Sequence, residues 1–306
     1  MLQSRYIVLG TYLIASVVLG VVYATFTELS VVPTLKNDTI STPILSIAIW
    51  TVLTAVILLV GRLQGLKLRP LFGMGGQSLR PVSYAYGALL VASLLIFSLG
   101  SFSVVFYFLA LSFPDYAANM LKDTLMLGGG NSNYPQLYDA LMLFLLVLYA
   151  PFVEELVFRG ILLQRWGTKW GLRWGLVGSS LLFGLLHENN PLGLTLFGFA
   201  MGLLYVRTRR LWVPIVCHSL NNVAAVTIDA ASKVGGNEQT YTVADVQDSL
   251  GIGVVMMLMS APFLAHFVWR SWPRRGDEIP YVINLGAGEG KLAQAEVRSP
   301  DSDKVS

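Results

Sequence analysis

Eight apolar blocks, at about 6–26, 43–60, 82–112, 137–165, 173–188, 191–207, 212–232 and 250–271, set the terms on which this chain can fold. Each is close to the roughly 20 residues that carry a helix across a bilayer. Inside hydrocarbon every backbone N–H and C=O must find a partner within the protein, and segments this long do so as helices. The expected fold is therefore all-α, a polytopic transmembrane bundle of about eight helices. Composition agrees: 54% of the 306 residues are hydrophobic and 13% charged, with a mean hydropathy of +0.61. A soluble domain carries about 25% charge, so too little polar surface is available for a water-soluble fold. The first block has the position of a signal peptide. Its apolar run is long and no clear small-x-small site follows, so a retained helix is expected.

The Lys and Arg residues test this division. Arg5, then Arg62, Lys67, Arg69 and Arg80, then Arg165, Lys169 and Arg173, then Arg207, Arg209 and Arg210, and finally Arg270, Arg274 and Arg275 fall at alternate connections. The intervening ones carry only Lys36, Lys122, nothing, and Lys233. Positive charge marks the cytoplasmic side, so the pattern predicts eight spans with both termini in the cytoplasm. One missed helix would have scrambled it. We divide the chain into 1–136, N-terminal helices with an external loop; 137–232, a chemical core; 233–272, the last span; and 273–306, a flexible cytoplasmic tail. The external 113–136 stretch has room for a short amphipathic helix near Ala117–Met126. No internal repeat and no nucleotide-binding glycine fingerprint occur. Lipid is the expected surrounding, and no nucleic-acid partner is expected.

The fourth block contains Glu154, Glu155 and Arg159. A charge at the centre of a membrane helix costs roughly 2.5–3.5 kcal/mol, and such residues face the bundle interior and have a role. Glu155 and Arg159 are four apart with the acid first, the favourable order for an ion pair. Glu154 points about 100° away and is left to bind something else. All three could instead form one salt-bridge network that locks helices together.

His187 ends the fifth block, four residues after Phe183 on the same face. A lone histidine at a helix end is more often structural. Here the midpoint between Glu154 and His187 falls at Trp170–Gly171, inside the connecting loop, so an antiparallel hairpin sets the two at similar height. A carboxylate and an imidazole at one level can share a water, as general-base activation requires. In the seventh block His218 and Asn222 are four apart, and both donate hydrogen bonds suited to a developing oxyanion. Interhelical polar glue is the plainer reading of that pair, and Asn221 lies near the same face. Cys217 diverges from His218 by about 100°, so a thiol dyad is not expected. His266, without an acidic partner, is read as structural. Gly178, Gly184, Gly193, Gly198 and Gly202 are read as sites of close helix packing. One difficulty stands: His218 lies about 10 Å from its inner helix end, and Glu154 and His187 about 20 Å from theirs. Their hairpin must protrude or tilt for all to meet.

Taken together, Glu154-Glu155-x-x-x-Arg159, Phe183-x-x-x-His187 and His218-x-x-x-Asn222 resemble, in order, the motifs of the type II CAAX prenyl protease and bacteriocin-processing family (CPBP, or Abi). The resemblance covers about 140–230. It implies an intramembrane endopeptidase acting on a membrane-anchored protein or peptide. It also implies Glu154 as the base on water with His187 assisting, His218 and Asn222 at the oxyanion, and Glu155, Arg159 and Phe183 in support. The alternative is a noncatalytic scaffold or bacteriocin-immunity-type protein. No cofactor is favoured. Zinc is the alternative, with Glu154, His187 and His218 as candidate ligands, although His187–Glu188 lacks the second histidine of a zinc helix motif. Short loops and a compact form point to a prokaryotic plasma membrane.

Overall fold

The computed structural model describes residues 38–73, 81–122, 127, 132–187, 189–233 and 243–287. They are all-α, with no strand among the described residues. The helices are α1 (Ser41–Leu63), α2 (Leu68–Phe72), α3 (Pro81–Ser112), α4 (Pro114–Lys122), α5 (Pro135–Trp170), α6 (Leu172–Leu185), α7 (Pro191–Thr208), α8 (Trp212–Lys233), α9 (Val243–Asp248), α10 (Leu250–Ser271) and α11 (280–287).

Seven of the eight expected spans are helices within a few residues of their predicted bounds, and the first, 6–26, lies outside the described residues. Five (α1, α5, α7, α10 and, from Tyr84, α3) are long and apolar enough to cross a membrane. The other two depart for different reasons. α6 has 14 residues, about 21 Å of helix, less than the roughly 30 Å of hydrocarbon. α8 has 22 residues, but His218, Asn221, Asn222 and Asp229 dilute its apolar character. The short amphipathic helix expected near Ala117–Met126 appears as α4, beginning three residues before its expected start; residues 123–126 lie outside the described residues.

The chain forms two compact units. The first takes Met1–Leu66, Ser103–Val157 and His218–Val254; the second takes Lys67–Phe102, Phe158–Cys217 and Val255–Ser306. In the first, Asp38 fastens the start of α1 to the stretch before α5. Its carboxylate accepts from the N–H of Ile40 (3.0 Å), and from the N–H (2.8 Å) and Nδ2 (2.9 Å) of Asn133. The Ile40 N–H foremost, then the Ser132 side chain, hold the Asp38 carboxyl down to about 2.

In the second unit α6 is clasped between the end of α5 and the start of α7, and small residues make this possible. A Cβ on Gly184 would meet Thr195 Oγ1 and lie 2.6 Å from the Pro191 carbonyl oxygen. One on Gly202 would meet Leu176, one on Gly193 would meet Ser101, and ones on Gly178 and Gly198 would lie 3.0–3.1 Å from their nearest neighbours, so all five glycines sit at close contacts.

The expected flexible tail at 273–306 needs correction over its first part. Residues 280–287 are helical and docked. Tyr281 gives its N–H to Gln164 Oε1 (3.2 Å) and accepts the Lys67 N–H at its hydroxyl (3.1 Å). Asn284 Nδ2 donates to the carbonyls of Pro70 and Arg209. These carbonyls lie at the ends of α2 and α7 and need donors, which the tail supplies.

Candidate active site

The residues singled out from the sequence divide between the two units. Glu154, Glu155, His218 and Asn222 belong to the first, and Arg159, Phe183 and His187 to the second.

In the first unit the backbone of α5 prepares the site. Two π-helical stretches, Phe144–Tyr149 and Leu156–Leu162, flank the turn Ala150–Glu155 that carries both glutamates. Such wide turns recur at functional sites. Pro151 explains part of the first. The Ala150 N–H donates to the Leu145 carbonyl, five residues back, and Pro151 has no N–H. The Leu146 carbonyl therefore takes its donor from another helix: Asn222 Nδ2, at 2.8 Å. Asn222 is thus partly a tie between α8 and α5, and a primary amide has a second N–H beyond the one so used.

One turn earlier on α8, His218 lies between the two carboxylates. Its Nδ1 is 2.9 Å from Glu155 Oε1, and its Nε2 is 3.8 Å from Glu154 Oε2. All three side chains are buried, Glu155 completely. Glu154 and Glu155, which diverge on the helix, thus face the same imidazole. The divergence of about 100° between adjacent helical residues is bridged by the flexible glutamate stems and the two-sided imidazole. A carboxylate accepts, so Nδ1 carries a proton and donates it to Glu155. The depth difficulty also eases. α5 has 36 residues, about 54 Å of helix, long enough to bring Glu154 level with His218 while projecting beyond the hydrocarbon. Beside the Asn222 tie, an apolar cavity of about 360 Å³ is lined by Leu143, Phe144, Val147, Val223 and Val226 among others.

In the second unit Arg159 is 1% exposed. Its Nη2 donates to the Gly198 carbonyl (2.8 Å), and its guanidinium lies 4.6 Å from the centre of the Phe183 ring. Phe183 also meets Phe158 edge-on at 5.1 Å and the His187 ring at 4.5 Å. The shared face predicted for Phe183 and His187 is present. His187 Nδ1 lies 2.7 Å from the Phe183 carbonyl. A carbonyl only accepts, so Nδ1 is the protonated nitrogen and Nε2 bears the lone pair, the form a base or a metal ligand needs. His266, exposed on α10, lies 6.1 Å from the Trp269 ring.

Among the described residues no group of three or more His, Cys, Asp or Glu is placed to hold a metal ion. Asn190, not among the residues expected from the sequence, is signalled there by its place directly before a helix-starting proline, a capping pattern.

Comparison with known proteins falls on this same segment. Residues 136–224 match the family described as type II CAAX prenyl endopeptidase Rce1-like. The chain is 29% identical over 127 residues to the protein named "Putative membrane peptidase YdiL" of Bacillus subtilis (strain 168), an alignment covering 39% of this chain and 52% of that one. The chain thus spans about half the length of the curated relative it matches. No solved structure matches it.

Proposed function

We propose, for a chain whose residues 136–224 belong to the CPBP family of type II CAAX prenyl endopeptidases, that it is a membrane-embedded endopeptidase. It hydrolyses a peptide bond of a membrane-anchored protein or peptide. The observation that carries this reading is His218 of α8 buried between Glu154 and Glu155 of α5, at 3.8 and 2.9 Å.

The chemistry follows from the donors and acceptors. Glu154 takes a proton from water, and the water oxygen attacks the scissile carbonyl carbon. His187, with its lone pair on Nε2, is the assisting base. Charge develops on the carbonyl oxygen, and two donors receive it. One is the second N–H of Asn222 Nδ2. The other is His218 Nε2, because Nδ1 is committed to Glu155. His218 donates from both nitrogens only as a cation, and the two glutamates supply the balancing charge. When the intermediate collapses, the carbon–nitrogen bond breaks, and the proton held by Glu154 passes to the leaving amine. Glu155 supports the site through His218, and Arg159 and Phe183 support it through His187, whose ring Phe183 meets. The apolar cavity beside Asn222 suits an apolar part of the substrate lying along the bilayer.

The reading is metal-free. A second reading has one observation behind it: an imidazole that gives one nitrogen to a carboxylate is also how a zinc-binding histidine is oriented. Glu154, His187 and His218 are then the ligands. Activity that survives strict chelation in a zinc-free preparation supports the first. Stoichiometric zinc lost together with activity supports the second. The charge alternation favours a multi-pass protein of a prokaryotic plasma membrane with both termini cytoplasmic, which tags protected or exposed at each terminus would test.

Comparative proteomics of membrane-anchored peptides tests the function in cells. Cells with the wild-type protein should contain cleaved termini that are absent with Glu154→Gln. Identical peptide sets, from proteins inserted at equal level, would favour a noncatalytic scaffold.

A further inference from the structure

Asn190 occupies the three-residue step between His187 and α7, and all its side-chain polar atoms are engaged within the second unit. Its Oδ1 accepts from the Gly193 N–H (3.1 Å) and from Ser101 Oγ (2.9 Å). Its Nδ2 donates to the carbonyl (2.8 Å) and the Oγ (2.9 Å) of Ser98. Its backbone N–H donates to the His187 carbonyl at 3.1 Å. An N-cap needs only the first of these bonds. The other side-chain bonds reach the middle of α3, about ninety residues earlier, at a place where a Cβ on Gly193 would meet Ser101 Oγ. A buried primary amide is costly unless every donor and acceptor is used, and here each one is used on α3 or on the start of α7.

From this bonding we infer that Asn190 is a positioning residue for His187, a role that rests on His187 belonging to the peptidase site. α6 ends at Leu185, so the peptide after His187 is not held by a regular helix. The Asn190 N–H holds that peptide's carbonyl, and the Ser98–Ser101 tether holds Asn190. The tether thereby keeps the imidazole where Nδ1 meets the Phe183 carbonyl at 2.7 Å. Release of the tether frees the ring to exchange tautomers and swing Nε2 away. A misplacement on the order of 1 Å costs a catalytic group about a hundredfold in rate.

The test separates this role from capping. Asn190→Ser keeps an oxygen for the Gly193 N–H but loses the amide that grips Ser98. With only three histidines in the chain, nitrogen-15-labelled histidine in nanodiscs gives few signals, and His187→Gln assigns the one of interest. The wild type should show His187 as a single Nδ1–H tautomer. Asn190→Ser should show a mixture of tautomers, with kcat down about tenfold to a hundredfold and KM changed by less than about threefold. Ser101→Ala, a milder cut of the same tether, should move both readouts in the same direction and covers the case in which Asn190→Ser does not fold. Wild-type spectra and rates in these variants would overturn the inference, leaving Asn190 a plain cap. If the wild-type protein cleaves no substrate, the histidine spectra alone decide, so a failed peptidase reading stays distinct from a failed tether.

Discussion

At the scale of single residues, the site is a question of where each buried proton and charge is placed. Glu155 is completely buried and accepts from His218. Removing the imidazole leaves a carboxylate without that donor, and breaking a buried pair in this way costs about 3–5 kcal/mol. His218→Ala is therefore expected to lower the unfolding midpoint strongly as well as abolish cleavage. Glu154→Gln keeps the shape and loses only the base, so its melting should stay near wild type while rate falls by about a hundredfold or more. Thermal melts of both variants in one detergent distinguish the two roles. The identities of these residues were legible in the sequence because charges in an apolar helix need a reason. The placement of His218 between the two carboxylates was not, because it depends on how α8 approaches α5, and no spacing within either helix encodes that.

At the scale of elements, the π-helical turns of α5 and the Asn222 tie form one device. Pro151 withholds an N–H, and the Leu146 carbonyl turns to Asn222. Pro151→Ala supplies a competing N–H, so Asn222→Ala should cost about 1–2 kcal/mol in the wild-type background and clearly less beside Pro151→Ala. A double-mutant cycle measures the difference. Helix existence and bounds followed from hydropathy. The π turns did not, since a proline in an apolar run is equally compatible with a kink. The cavity beside this device gives a further expectation. Val223→Trp should fill part of its 360 Å³ and raise KM about tenfold for a membrane-anchored substrate, with melting unchanged; an unaltered KM would remove the cavity from the substrate's path.

At the scale of the whole molecule, the described chain is an all-α membrane protein in which Asp38 and the helix at 280–287 are tied down by polar bonds. The Asp38 clamp responds to pH with a defined sign. Its folded carboxyl is held at about 2, against an ordinary value of 3.8, so its stabilisation is complete above the ordinary value and is lost as pH falls toward 2. Unfolding midpoints of wild type and Asp38→Asn should differ most at neutral pH and converge in that acid window. The docked tail was not legible because 273–306 is polar and its partners, Gln164, Lys67, Pro70 and Arg209, lie far off in sequence. Cleavage of a membrane-anchored peptide by purified protein in nanodiscs, wild type against Glu154→Gln matched for melting temperature, tests whether Glu154 is the catalytic base. New peptide termini are expected with the wild type and none with the variant; equal cleavage by both would overturn that role.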